Sequence, residues 1–190
     1  MRIHYNTKMI DKLIYRSLRV GKGGKPFYLL KFRTMCPELD GGLPTASMND
    51  PRLTKIGKWL RRFKLDELPT LYNLIKGDIR LVGPRPDTVE EIDTLDYKTR
   101  HLVLSVKPGI ISPATIHNFK EDETLSSQDE PHRYYCEIIK PVKYYLNCWY
   151  VRQKSPYFDL KVFCAFILKM LKLPYMWLNI YPPNFGKMNE

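Results

Sequence analysis

Two adjacent carboxylates, Asp66 and Glu67, stand among cationic side chains. Arg52, Lys55, Lys58, Arg61, Arg62 and Lys64 precede them, and Arg85 follows inside Gly83-Pro84-Arg85-Pro86. A carboxylate can attack an electrophile, hold a metal or move a proton. Lys and Arg hold anions, and the Arg fork suits phosphate oxygens two bonds at a time. The pattern fits chemistry on a bound anion. Each part also has a plainer reading. An Asp ahead of a helix is commonly a cap, and a Lys/Arg run is commonly a solvated face.

The elements that must position these groups can be read from spacing. Asp50 before Pro51 reads as a cap with a first-turn proline. Leu53, Ile56, Leu60 and Phe63 then recur at helical steps and predict one buried face. A second helix is predicted from Leu65 or Asp66. Pro69 lies in its first turn, Leu65, Leu68, Tyr72 and Ile75 form its buried stripe, and Gly77 is its stop. The pair Asp66-Glu67 then falls at a helix N-terminus. The dipole and the nearby arginines are expected to keep both ionised. Successive helical residues point about 100° apart, so the two need not share a role.

The string LDELPTLYNLIKGDIRLVGPRP (65–86) closely resembles the signature of the bacterial sugar transferases, monotopic phosphoglycosyl transferases that start glycoconjugate assembly on polyprenol phosphate. Three further stretches resemble that family in the same order: VGKGGKPFYLLKFRTM (20–35), DPRLTKIGKWLRR (50–62) and KPGIISPATI (107–116). The resemblance runs over about residues 15–172. It implies that Asp66 attacks a phosphate of a UDP-sugar, that UMP leaves, and that the phosphosugar stays on the carboxylate until polyprenol phosphate takes it. Glu67 is implied as the partner of the dyad, through magnesium or proton transfer. Lys31, Arg33, Arg61 and Arg85 are implied as phosphate-binding residues. Mg2+ is implied as the cofactor, with Glu67 and Asp159 as its candidate ligands. Asp159, in YFDLKVF, reads equally well as a first-turn acid of the last helix. The implied location is the cytoplasmic face of a bacterial inner membrane.

Two places depart from the family pattern. Its members carry an N-terminal membrane segment of about 20 or more residues, whereas MRIHYNTKMIDKLIYRS has no apolar run. Where the family often reads L-D-x-x-Y, this chain has Asn147 in place of the acid. A catalytically inactive or regulatory homologue is therefore a second expectation, and a basic nucleic-acid-binding module a remote third.

Composition bounds the rest. The 190 residues suit one domain with a core. The expected class is α+β: a small, mostly helical domain with an N-terminal β-hairpin or small sheet and surface amphipathic helices. Residues 1–17 read as a basic segment, 18–173 as the catalytic domain and 174–190 as an aromatic tail. The net charge of +11 favours anionic partners, whether phosphorylated substrate, acidic membrane surface or nucleic acid. No helix-turn-helix, zinc-finger or RRM signature supports nucleic acid. Cys36, Cys136, Cys148 and Cys164 have no paired spacing and read as reduced cytosolic thiols. No apolar run is long enough to span a bilayer.

Several stretches carry a tempting motif and a bland one. Gly21-Lys22-Gly23-Gly24-Lys25 lacks phosphate-loop spacing and reads as a hairpin turn. Residues 36–49 read as a Pro/Gly/Ser-rich loop. The acidic island Glu121-Asp122-Glu123 reads as a solvated face rather than a metal site. The tyrosines of 132–153 suit either core or a headgroup interface. The helix predicted at 155–173 suits either core or a membrane surface.

Overall fold

The computed structural model describes residues 12–36, 50–183 and 185. All but the first residue of the loop read at 36–49, and most of the basic segment 1–17, lie outside those residues. The predicted α+β class holds. A β-hairpin at the N-terminal end is followed by helices, with a second small sheet between them.

The hairpin pairs β1 (Ile14–Val20) with β2 (Pro26–Phe32), in a register from Ile14 opposite Phe32 to Val20 opposite Pro26. It begins four residues before the predicted boundary at 18, so the end of the basic segment is strand. Two short strands, β3 (Arg80–Val82) and β4 (Gly109–Ile111), pair in parallel. The KPGI stretch thus supplies a strand.

The first two helices invert their predicted faces. Helix α1 (Lys55–Arg62) is capped by Thr54, whose side chain accepts from the Gly57 amide. The predicted cap, Asp50, instead accepts from the Arg52 backbone amide at 2.9 Å and pairs with its guanidinium. Leu53 is buried as predicted, but Ile56 is 73% exposed and Phe63 also faces out. The inward residue is Gly57. A Cβ there would stand 2.1 Å from the Thr34 carbonyl oxygen, so only glycine lets this helix lie against the backbone after β2.

Helix α2 (Thr70–Lys76) starts after Pro69, later than the predicted start at Leu65 or Asp66, and stops at Gly77 as predicted. Its predicted apolar stripe is outside: Leu68, Tyr72 and, at 85%, Ile75 are exposed. Thr70 and Asn73 are buried instead. Asn73 Oδ1 accepts from the Leu30 amide at 3.0 Å, and Nδ2 donates to the Tyr28 carbonyl at 2.8 Å. Thr70 donates to the Leu30 carbonyl at 2.9 Å. The free edge of β2 needs partners for its peptide groups, and the polar face of α2 supplies them. That demand outweighs the pull of the apolar stripe toward the core.

The remaining helices form the body. Helices α3 (Val89–Asp93), α4 (Tyr97–Leu104), α5 (Pro113–His117), α6 (Glu121–Ser126) and α7 (Pro131–Tyr134) are short. A π-helical turn (Tyr135–Ile139) joins α7 to α8 (Lys140–Gln153). Pro141 has no amide for the turn before it, and the helix widens there. Helix α9 (Pro156–Met170) is capped by Ser155 and buries Val162 and Ala165. The main core joins Val82, Ile111, Ile116, Tyr150, Val162, Ala165, Leu178 and Ile180. Leu178 and Ile180 belong to the stretch read as a tail, so residues up to at least 180 help to close the domain. Met176 and Trp177, just before them, stay exposed. The tyrosine-rich helix is largely core, with Tyr144 and Tyr150 buried. Helix α9 splits its surface, since Tyr157, Leu160, Ile167 and Met170 are exposed. No helix among the described residues is long and apolar enough to cross a membrane. The four cysteines are free thiols.

Candidate active site

The dyad sits where three segments meet. Lys64 adopts a left-handed conformation (φ 55°) and ends α1. A non-glycine residue there costs about 1–2 kcal/mol, and the reversal drops Asp66 and Glu67 into a 3-10 turn (Leu65–Glu67) ahead of α2. This is not the helix N-terminus expected from the sequence, so no helix dipole accounts for the charges.

Glu67 is held from two sides. Lys31 on β2 donates to Oε1 at 3.0 Å. Lys31 lies on the same strand face as buried Leu29, two residues earlier, which points it inward. Arg85 forks onto Glu67, with Nη1 donating to Oε2 at 3.3 Å and Nη2 donating to Oε1. Burial would raise the Glu67 carboxyl, but Arg85 and Lys31 outweigh it and hold it well below the usual carboxylate range. Burial also lowers the Lys31 ammonium, with Glu67 opposing. Arg85 is raised further, chiefly by Glu67.

Asp66 differs from its neighbour. It is 8% exposed, and its carboxylate makes no hydrogen bond or ion pair among the described residues. Burial and the Glu67 charge push its carboxyl above the ordinary Asp value, while Lys31, Arg61 and Lys64 pull the other way. The two acids therefore differ: one is charge-compensated, the other buried and unpartnered. An unpartnered carboxylate beside cations whose own partner is a second carboxylate is free to act on a ligand that those cations draw in.

The other predicted phosphate-binding residues are distributed around this pair. Arg61 donates through Nε to Thr34 Oγ1 at 3.1 Å and faces Asp66. Arg33 lies over the Tyr15 ring, 5.6 Å from its centroid. Asp159 stands in the first turn of α9. Its Oδ1 accepts from Tyr150 Oη at 2.5 Å and its Oδ2 from Arg80 at 3.1 Å. None of those bonds reaches the dyad, so Asp159 ties α9 and α8 to β3. No group of three or more His, Cys, Asp or Glu among the described residues could hold a metal. A magnesium ion carried by a diphosphate needs only one or two protein carboxylates, with phosphates and waters completing the shell. The dyad fits that requirement, whereas both carboxylate oxygens of Asp159 are taken by Tyr150 and Arg80.

The acidic island differs from its reading as a solvated face. Asp122 pairs with Lys64 at 3.1 Å. Glu121 beside it is half-buried, its carboxyl raised by burial against the pull of Lys143, Arg85 and Lys64. Spacing along the chain cannot reveal this approach, since Lys64 and Asp122 are 58 residues apart. The buried pair Asp87–Lys143 was also unforeseen; its one sequence signal is an acid directly after Gly-Pro-Arg-Pro. Asn147, which replaces the family acid, is fully buried with both amide atoms unpartnered.

The family described as bacterial sugar transferase matches residues 2–173. The chain belongs to it. A UDP-glucose:undecaprenyl-phosphate glucose-1-phosphate transferase of Escherichia coli is 38% identical over 164 residues, covering 83% of this chain and 32% of the relative. A sugar transferase of Bacillus subtilis, EpsL, is 36% identical over 169 residues, covering 86% and 72%. The galactosyl transferase CpsE of Streptococcus agalactiae is 41% identical over 148 residues, covering 72% and 30%. The chain thus spans about a third of the Escherichia coli and Streptococcus agalactiae relatives, and about seven tenths of the Bacillus subtilis one.

Proposed function

We propose that the chain transfers a sugar phosphate from a UDP-sugar to polyprenol phosphate through a phosphosugar bound to Asp66. The observation that carries this is the contrast within the dyad: Asp66 buried without a partner, Glu67 clamped by Lys31 and Arg85. A carboxylate oxygen of Asp66 forms a bond to the phosphorus that bears the sugar. The bond from that phosphorus to UMP breaks, and UMP leaves with the electron pair. A phosphate oxygen of the polyprenol phosphate then attacks the same phosphorus, and the aspartate leaves as carboxylate. One difficult transfer becomes two easier ones. Lys31 and Arg85 bind the diphosphate oxygens by loosening their hold on Glu67, and Arg61 and Lys64 approach from the side of Asp66. Magnesium brought with the diphosphate would be held by the dyad carboxylates and would neutralise part of the phosphate charge.

The same proposal gives a role to the inverted helices. Ile56, Trp59, Phe63, Leu68, Leu71, Tyr72 and Ile75 are all exposed along α1, the dyad turn and α2. Lys55, Lys58, Arg62 and Lys76 are interspersed with them. Apolar side chains among cations suit the boundary of an anionic lipid surface, and this face would bring the dyad to a lipid-borne acceptor. The sugar carried by the donor is left to experiment.

Intact mass spectrometry with magnesium and a panel of UDP-sugars tests the chemistry. A gain of one sugar phosphate on the wild type, with UMP released and no gain on Asp66→Asn, is the expected result. An adduct that persists in Asp66→Asn refutes the role of Asp66. For the surface, an Ile75→Glu variant is expected to lose cosedimentation with anionic vesicles while still forming the adduct.

A further inference from the structure

Arg85 lies on a segment anchored at both ends. On its N-terminal side, Gly83 donates to Ile111 at 2.8 Å and Pro84 accepts from the Gly109 amide at 2.7 Å. The approach is so close that a Cβ on Gly109 would stand 2.3 Å from the Gly83 nitrogen. On its C-terminal side is Asp87, only 2% exposed. The Asp87 carbonyl accepts from the Val20 amide at 3.0 Å, at the end of β1. Its carboxylate is fully used: Lys143 Nζ donates to Oδ1 at 2.5 Å and Tyr144 Oη to Oδ2 at 2.9 Å. Lys143 and Tyr144, both buried, come from α8, more than 50 residues away in the chain.

The node extends one layer further and is electrically balanced. Tyr135 Oη donates to Glu91 Oε1 at 2.6 Å and accepts from Lys143 at 3.1 Å. Arg19 donates to the Pro86 carbonyl at 3.4 Å and lies 3.9 Å from Glu91. Asp87 and Glu91 thus face Lys143 and Arg19. Burial alone would lower the Lys143 ammonium, but Asp87, Tyr135 and Glu91 outweigh it and hold it well above the ordinary value. A buried polar network with its members satisfied is rigid and specifies one geometry, whereas an unsatisfied one is costly.

We propose that Asp87, Lys143 and Tyr144 are positioning residues that set where the Arg85 guanidinium stands relative to Glu67, and so its aim at the donor diphosphate. Pro84 and Pro86 remove most of the freedom of the intervening backbone. The β3–β4 contact and the Asp87 node then leave Arg85 little but its own side-chain rotamers. Tyr144 and Lys143 act through Arg85 and touch no substrate. The kinetic half of this inference rests on the proposed transferase activity; the positioning of Arg85 against Glu67 does not.

The test is Tyr144→Phe, which keeps the ring and removes one bond to Asp87, with Asp87→Asn as the second variant. Two readouts are taken alongside thermal midpoints. The first is the side-chain Nε–H resonance of Arg85, followed by nitrogen NMR on arginine-labelled protein and assigned by its loss in Arg85→Lys, which needs no turnover. The second is the KM and kcat for the UDP-sugar, in wild-type and Arg85→Lys backgrounds. The expected result is a shifted or broadened Arg85 resonance and a rise in KM of about fivefold, as for one lost hydrogen bond, with kcat within about twofold. In the Arg85→Lys background the same substitution should add almost nothing to KM. An unmoved Arg85 resonance, or a KM effect that adds in full to Arg85→Lys, overturns the proposal. So would failure of both variants to fold, since the node would then serve folding alone. If the wild type turns over no donor, the proposed function fails while the arginine spectrum still decides this one.

Discussion

Replacing Asn73 by Ala removes the clasp between α2 and β2, and its cost can be worked from the bonds lost. Asn73 is 2% exposed and makes three hydrogen bonds, to the Leu30 amide, the Tyr28 carbonyl and Asp78. Asp78 keeps its ion pair with Lys76 at 3.2 Å, so it is not orphaned. Tyr28 is exposed, and water can reach its carbonyl, which limits that loss to about 1 kcal/mol. The half-buried Leu30 amide is harder to rehydrate and adds about 1–2 kcal/mol. The expected destabilisation is about 2–3 kcal/mol, a large share of the 5–15 kcal/mol typical of a domain. Urea unfolding followed by circular dichroism measures it, read from the midpoint at unchanged slope. Lys31 directly follows Leu30, so activity should fall in the fraction that stays folded. A loss below about 0.5 kcal/mol would refute the argument that polar bonding to the strand edge, rather than apolar burial, holds α2 in its inverted pose.

The dyad gives a pH prediction of two signs. Glu67 is held below its unfolded value, so its contribution to stability is present above about pH 4.5 and is lost as the pH falls below that. Asp66 is raised above 3.8, so the native state keeps an extra proton and stability declines as pH rises through its folded value. Asp66→Asn should therefore be more stable than wild type at pH 7, with the difference shrinking toward pH 4; urea midpoints across that range check it, and a less stable variant at pH 7 would contradict it. Asn147→Leu, of similar size, removes two buried unpartnered amide atoms and is expected to stabilise by about 1–2 kcal/mol. Calorimetry should show a melting temperature about 2–8 °C higher for a domain of this size, and a lower one would mean that a partner for the amide exists.

The sequence alone named the residues of the candidate site. Asp66, Glu67, Lys31 and Arg85 were legible because motif residues declare their types and order, and three of the four meet in one ion-paired cluster beside Asp66. The hairpin and the stop at Gly77 were legible too, since turns and helix stops are local. Tertiary structure decided which faces turn inward. Spacing placed Ile56, Tyr72 and Ile75 inside, but the Thr34 carbonyl at Gly57 and the β2 edge at Asn73 took the inner faces, and the apolar residues were left outside. Periodicity shows that a helix has an apolar face, not what lies against it; that depends on unpaired peptide groups supplied by another part of the chain. The same holds for Asp87 with Lys143, Asp122 with Lys64 and Asp159 with Tyr150. Each partner is fixed by where the chain returns, and the resulting burial and charge separate the two acids of the dyad into one that is clamped and one that is free.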